Sequence, residues 1–310
     1  MAAKQAPLTP EDLALKRSRR FNPTPLFLML PAMAVLCVFT LYPIGRLFVN
    51  AFQEYGRAQL MGAPPKWIGF ANFVRAITQS NLLMVTLRTF VFMVAAVLCT
   101  VVLGTLIAIL MTKLNRFFRM LTSIGLLLAW AMPALTATIV WGWMIDTNFG
   151  VINYLLTKVT GHNWIGHQWL LNPVSFFFVL GIVIVWQGIP FISFTIYAAI
   201  TGVPPELTEA AAIDQAGPVK RFFLIQFPYV RSVFVVVIVL SIIWDMNVFT
   251  QVIPLQALGG VSDSTSTLGV WIYQQGNSNV GMSAAAGIFM LILMLIISVF
   301  YVRQTLREGE

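Results

Sequence analysis

Acidic side chains are scarce in this chain. Only 11 Asp and Glu occur among 310 residues, against 19 Lys and Arg, so 10% of positions are charged while 58% are hydrophobic. Soluble domains place roughly a quarter of their residues in charged types, and a chain this poor in charge is excluded from that class. Cysteine is nearly missing too. Cys37 and Cys99 both lie inside apolar runs, which excludes a disulfide framework and a thiolate metal pair. The two histidines, His162 and His167, flank Trp164 with no carboxylate or thiol nearby, and read as loop residues rather than metal ligands. No G-x-x-x-x-G-K-[ST] phosphate cradle occurs, and no H-E-x-x-H or G-x-S-x-G. The chain is expected to be non-enzymatic, without a motor of its own.

What it has instead is long apolar sequence. A bilayer core of about 30 Å needs roughly 20 apolar residues of helix, and runs of that length occupy 26–50, 83–111, 120–145, 174–201, 233–253 and 281–302. They are continuously apolar, without the alternation of a membrane β-barrel. The expected fold is an all-α integral membrane protein of six transmembrane helices over 26–302, with a tail before it (1–25) and after it (303–310). Basic residues and Ala32-Met33-Ala34 give the first run a resemblance to a cleaved signal peptide. Apolar sequence continues well past that point, so it reads as an uncleaved span.

Lys and Arg collect on cytoplasmic loops. One side holds Lys4, Lys16, Arg17, Arg19 and Arg20, then Lys113, Arg116 and Arg119, then Lys220, Arg221 and Arg231, and finally Arg303 and Arg307; the other holds Arg46, Arg57, Lys66, Arg75, Arg88 and Lys158. The richer side is expected to be cytoplasmic, with both termini on it. Because the bases sit beside span ends, the net charge of +8 suits anionic membrane lipid and not nucleic acid.

Between the fourth and fifth runs lies ELTEAAAIDQAGPVKRFFLIQFP, residues 206–228. Pro205 suits a helix's first turn, Glu206 and Glu209 its positive end, and three successive Ala propagate it. Gly217 is expected to supply a left-handed stop and Pro218 a second helix, through Phe222, Phe223 and Ile225, halting before Pro228. Such small residues and such punctuation suit docking of a cytosolic partner better than a plain linker.

Glu209-Ala210-Ala211, Asp214, Ala216, Phe222, Ile225 and Pro228 resemble the EAA loop of ABC importer permeases, whose pattern reads approximately EAAxxDGAxxxxxFxxIxLP. Gln215 stands where that pattern has Gly, Phe227 replaces Leu, and Ser232 replaces a common trailing Pro. Trp67-Ile68-Gly69-Phe70-Ala71-Asn72-Phe73, Gly150-Val151-Ile152-Asn153 and Trp186-Gln187 followed by Pro190-Phe191 resemble the carbohydrate-uptake, maltose-type branch. The resemblance implies a cytoplasmic EAA loop over 202–230, its coupling residues Glu209, Ala210, Ala211, Asp214, Ala216 and Gly217 seated on an ATPase dimer. It places ATP and Mg on that dimer, with no cofactor in this chain. It also implies a second homologous permease subunit, an extracytoplasmic solute-binding protein and a bacterial or archaeal cytoplasmic membrane.

Polar groups inside spans are costly and mark candidate pathways. Asp245 is the only acid within one. Along the fifth helix, read as 233–253, rotation by 100° per residue groups Trp244, Asp245, Asn247 and Gln251 on one face. Trp186 and Tyr197 share a face of the fourth span with Ser193 and Pro190, and Gln187 adjoins it. Trp130, Ala134, Ala137 and Trp141 form a stripe in the third. Hydroxyl-bonding amides and carboxylates beside aromatic faces suit a sugar. The resemblance implies import by ATP-driven alternating access of a di- or oligosaccharide, an amino sugar or a glycerol phosphate, and charged bases that lie only near span ends tilt the choice towards neutral or amino sugars. The competing reading is an ion-coupled secondary carrier with Asp245 as coupling acid, which predicts inverted repeats that the sequence does not display. The blander one gives Asp245 a bond to a neighbouring helix and the tryptophans, Trp143 and Trp164 among them, an interfacial or loop place.

Overall fold

The computed structural model describes residues 24–308. The basic cluster from Lys4 to Arg20 lies outside the described residues. The chain divides after Val49 into two units. The first holds most of one span, helical over Thr24–Leu36, widened to a π turn over Cys37–Leu41, and helical again over Tyr42–Ala51.

The second unit carries the second span Leu82–Lys113, the fourth Pro173–Thr201 and the sixth Val280–Glu308 as single helices. Two expectations fail. The third span is not one helix: Arg116–Ala131 and Ala134–Met144 meet at 101°. Pro133 causes this, since it has no N–H to donate and pushes Met132 into extended backbone (ψ 124°). Nor does the second helix of the loop halt before Pro228. Pro218–Arg221, a π turn at Phe222–Gln226 and Phe227–Met246 run on as one rod, which is the fifth span. The wider turn absorbs the proline, with the Phe227 N–H reaching back to the Phe222 carbonyl. The same device precedes Pro43 in the first span, where the Tyr42 N–H bonds the Cys37 carbonyl.

That rod ends at Met246, earlier than 253. Asn247 caps it, residues 248–251 turn, and a short helix Val252–Ala257 follows. The helical face drawn through Asn247 and Gln251 therefore does not exist, although both residues reach the site by another route.

The second and fourth spans approach through glycines. A methyl at Gly104 would meet Ile192 at 2.7 Å and one at Gly188 would meet Thr100 at 2.8 Å. Apolar side chains fill the bundle on either side of this contact, Phe176, Leu180 and Val183 towards one end, Ile192, Ile196 and Phe234 towards the other. Loop motifs act as clips. Asn72 is buried and donates to the carbonyls of Ala51 and Gln53 (2.9 and 2.8 Å), while Phe52 packs on Trp67, Phe70 and Phe73. The Arg88 guanidinium reaches across to the carbonyls of Asp263 and Ser266 (3.3 and 3.4 Å), tying the second span to the segment before the sixth.

Candidate functional site

A cavity of 390 Å³ opens where the broken third span, the middle of the fourth and the end of the fifth converge. Pro133 creates one wall. Breaking the helix frees carbonyls that have no intrahelical partner, and the Gln187 amide donates to one of them, Met132 O, at 3.3 Å. The Gln251 amide in turn donates to Gln187 Oε1 at 3.1 Å. This chain joins the three elements and orients both amides at the cavity edge.

Asp245 occupies the last turn of the fifth span, 8% exposed and lining the cavity. Among the described residues, no hydrogen bond or ion pair reaches its carboxylate, and no basic side chain lines the space. A carboxyl group held so far from water with no partner is a group waiting for hydrogen bonds. Asn247 also lines the cavity, but its amide is spent locally, donating to Ile243 O at 2.8 Å. Trp244 is 49% exposed and braced edge-on by Phe191 at 5.0 Å. The cavity thus gathers Trp244, Asp245, Asn247, Gln251 and Gln187.

Trp186 and Tyr197 do not line it. Trp186 packs against Trp141 at 6.1 Å, and the Tyr197 hydroxyl accepts from Arg119 at 3.1 Å. Trp130, Met132, Phe249 and Thr250 line it without having been singled out as pathway residues. The X-Pro step at Met132-Pro133 was the available signal for the break; Phe249 and Thr250 enter only because the helix ends early.

The loop after the fourth span forms a helix over Pro205–Ile213. It stops with Gln215 in the left-handed region (φ 55°), and the Ala216 N–H bonds the Ala211 carbonyl at 2.9 Å. Gly217, expected to supply that stop, is extended instead (φ −66°, ψ 166°). The left-handed place is the one where the family pattern has Gly, and the Arg221 Nε–H bonding Ala216 O at 2.7 Å braces it. Glu209, Ala210 and Asp214 face outward, whereas Ala211 is 8% exposed and packs inward. Ile213, overlooked in the sequence, stands 82% exposed at the helix end. Since a β-carbon in the left-handed region costs about 1 kcal/mol, Gln215→Gly is expected to raise the thermal unfolding midpoint of the purified protein. An unchanged or lower midpoint would contradict the strain.

The two histidines stay among aromatic rings, His167 against Trp169 at 4.6 Å, and no cluster of metal-ligating side chains occurs among the described residues.

Residues 100–307 match the family model described as "binding-protein-dependent transport system inner membrane component". The diacetylchitobiose uptake system permease protein DasB of Streptomyces coelicolor is 35% identical over 92% of this chain and 88% of its own. The trehalose/maltose transport system permease protein MalF of Thermococcus litoralis is 27% identical over 89% of this chain and 91% of its own. Among solved structures, a bacterial ABC transporter involved in the import of the acidic polysaccharide alginate contains a chain of the same fold. It has a TM-score of 0.79 at 21% identity, over 96% of this chain and 100% of that one. The chain therefore belongs to the binding-protein-dependent transport system inner membrane components, as a permease subunit of the carbohydrate-uptake ABC importers.

Proposed function

We propose that this permease moves a neutral or amino sugar of about disaccharide size inward by ATP-driven alternating access. The carrying observation is the cavity in which one carboxylate without a cation, three amides and several aromatic rings meet with no base. Amides and a carboxylate bond hydroxyl and N-acetyl groups, and indole faces cover C–H surface. An anionic cargo would find no basic side chain in the lining to pair with. The 35% identity to a diacetylchitobiose permease supports the same class.

In this reading residues 26–302 form the transmembrane domain, the termini and loop 202–230 are cytoplasmic, and Glu209, Ala210, Asp214 and Ile213 meet a separate ATPase dimer that holds ATP and Mg. Ala211, Ala216 and Gly217 shape the corner behind them. The coupling corner and Asp245 sit at opposite ends of one helix, Pro218–Met246, about 40 Å apart at 1.5 Å per residue. A push at the corner therefore tilts the cavity wall without an intervening joint. A homologous second permease closes the other half of the path, and an extracytoplasmic binding protein delivers the cargo.

Reconstituted with its partners in vesicles, the transporter is expected to take up labelled diacetylchitobiose only with ATP, and uptake is expected to resist competition by sn-glycerol 3-phosphate. Uptake driven by an ion gradient without ATP, or strong competition by the phosphate, would overturn the reading.

A further inference from the structure

A second, smaller cavity of 230 Å³ lies beyond the first, bounded by Trp143, Asp146, Gln168, Trp169, Leu258 and Gly259. Two short helices run between the cavities. Ala134–Met144 has Ala134 on the central cavity and Gly142 on the smaller one; Val252–Ala257 follows Gln251 on the central cavity and precedes Leu258 on the smaller one. The eight helical steps from Ala134 to Gly142 set the cavities about 12 Å apart. The helices close on each other where Gly142 meets Leu258, since a methyl at Gly142 would fall 2.3 Å from Leu258 Cδ1.

The walls of this pocket are built and not incidental. Asn153, 2% exposed, is their hub: its amide reaches the carbonyls of Asp146, Thr147 and His167 at 3.2, 3.3 and 3.2 Å, and its oxygen accepts from the Trp169 indole N–H at 2.6 Å. Trp169 is further fixed by parallel stacking on Trp164 at 5.7 Å. Asp146 Oδ1 accepts the N–H groups of Phe149 and Asn148, both at 2.9 Å, which hold its carboxyl below the usual carboxylate range. Its Oδ2 is left for another donor, and the exposed amide of Gln168 and the 70% exposed indole of Trp143 line the same pocket. A fixed indole, an ionised carboxylate and an amide are what a pyranose needs, and the volume would hold about seven or eight waters, close to one sugar ring.

We propose that this pocket is an outer sugar subsite, where one pyranose unit of the cargo rests before entering the central cavity. The inference depends on the transport direction given above, by which the pocket faces the outside and the cargo arrives there first. It also assigns the Gly150–Asn153 motif a purpose, pinning the subsite's walls.

The test uses the assembled transporter in lipid nanodiscs without binding protein, with maltose and diacetylchitobiose as probes in saturation-transfer difference NMR. Asp245→Ala in the background removes the central carboxylate, and Trp143→Ala with Gln168→Ala strips the outer pocket. The signal remaining in Asp245→Ala is expected to fall at least about threefold when the outer pair is also changed. In otherwise unaltered transporter, Trp143→Ala is expected to raise the KM for uptake about fivefold with kcat and partner co-purification unchanged. Unchanged transfer and KM would overturn the subsite, as would loss of affinity for the binding protein with sugar transfer intact, which would make the pocket a protein-docking surface. Loss of uptake in Asp245→Ala stands apart from these results, so the central pathway is judged separately.

Discussion

Ile213→Asp is expected to abolish uptake while the permease still folds and reaches the membrane. Ile213 is 82% exposed at the end of the Pro205–Ile213 helix, where its apolar surface has no cover among the described residues. Burying such a side chain on a partner contributes about 2 kcal/mol, and a carboxylate in its place must be desolvated at a cost of several kcal/mol. Together these weaken ATPase docking by roughly 10³-fold or more. Substitution at an exposed position leaves folding within about 0.5 kcal/mol, so the loss belongs to docking. Co-purification of the ATPase with tagged permease reads the effect directly, and Ile213→Leu is expected to restore it. Retained co-purification in Ile213→Asp would remove this residue from the interface.

Asp245→Ala is expected to lower uptake by about 10- to 150-fold, the range set by losing hydrogen bonds worth about 1.5 to 3 kcal/mol in all. Assembly is expected to survive for a specific reason. No described side chain bonds the carboxylate, so its removal orphans no buried donor. A helix-bonding role predicts the reverse, a poorly assembled complex. Uptake by the reconstituted transporter and the yield of intact complex separate the two outcomes, and normal uptake would take Asp245 out of the pathway.

Apolar length alone revealed the spans, because the bilayer imposes a length requirement that the sequence must display. The interruptions were harder to read. Pro133 and Pro228 carry the same local signal, yet one breaks a helix by 101° and the other is absorbed by a π turn. Neighbouring packing decides between them, and single-sequence reading has no access to it. The end of the fifth helix at Met246 had no warning, since Asn247-Val248-Phe249-Thr250 contains neither Gly nor Pro. Gln251 still reaches the cavity through its bond to Gln187, a contact between residues 64 apart in sequence. The left-handed residue of the coupling corner was misplaced by two positions because Gly217 is the better candidate by propensity. The 6→1 bond between Ala216 and Ala211 instead requires Gln215 to adopt that conformation.

In the proposed function, one rigid helix carries force from an ATPase-gripped corner to a cargo wall. A cryo-electron-microscopy map of the transporter assembled with its ATPase, with and without a nucleotide analogue, measures this. The account predicts Pro205–Ile213 seated in an ATPase cleft in both states, with Pro218–Met246 tilting as a unit between them. A Pro205–Ile213 helix bare to solvent, or an unmoved Asp245 beside a displaced corner, would contradict it.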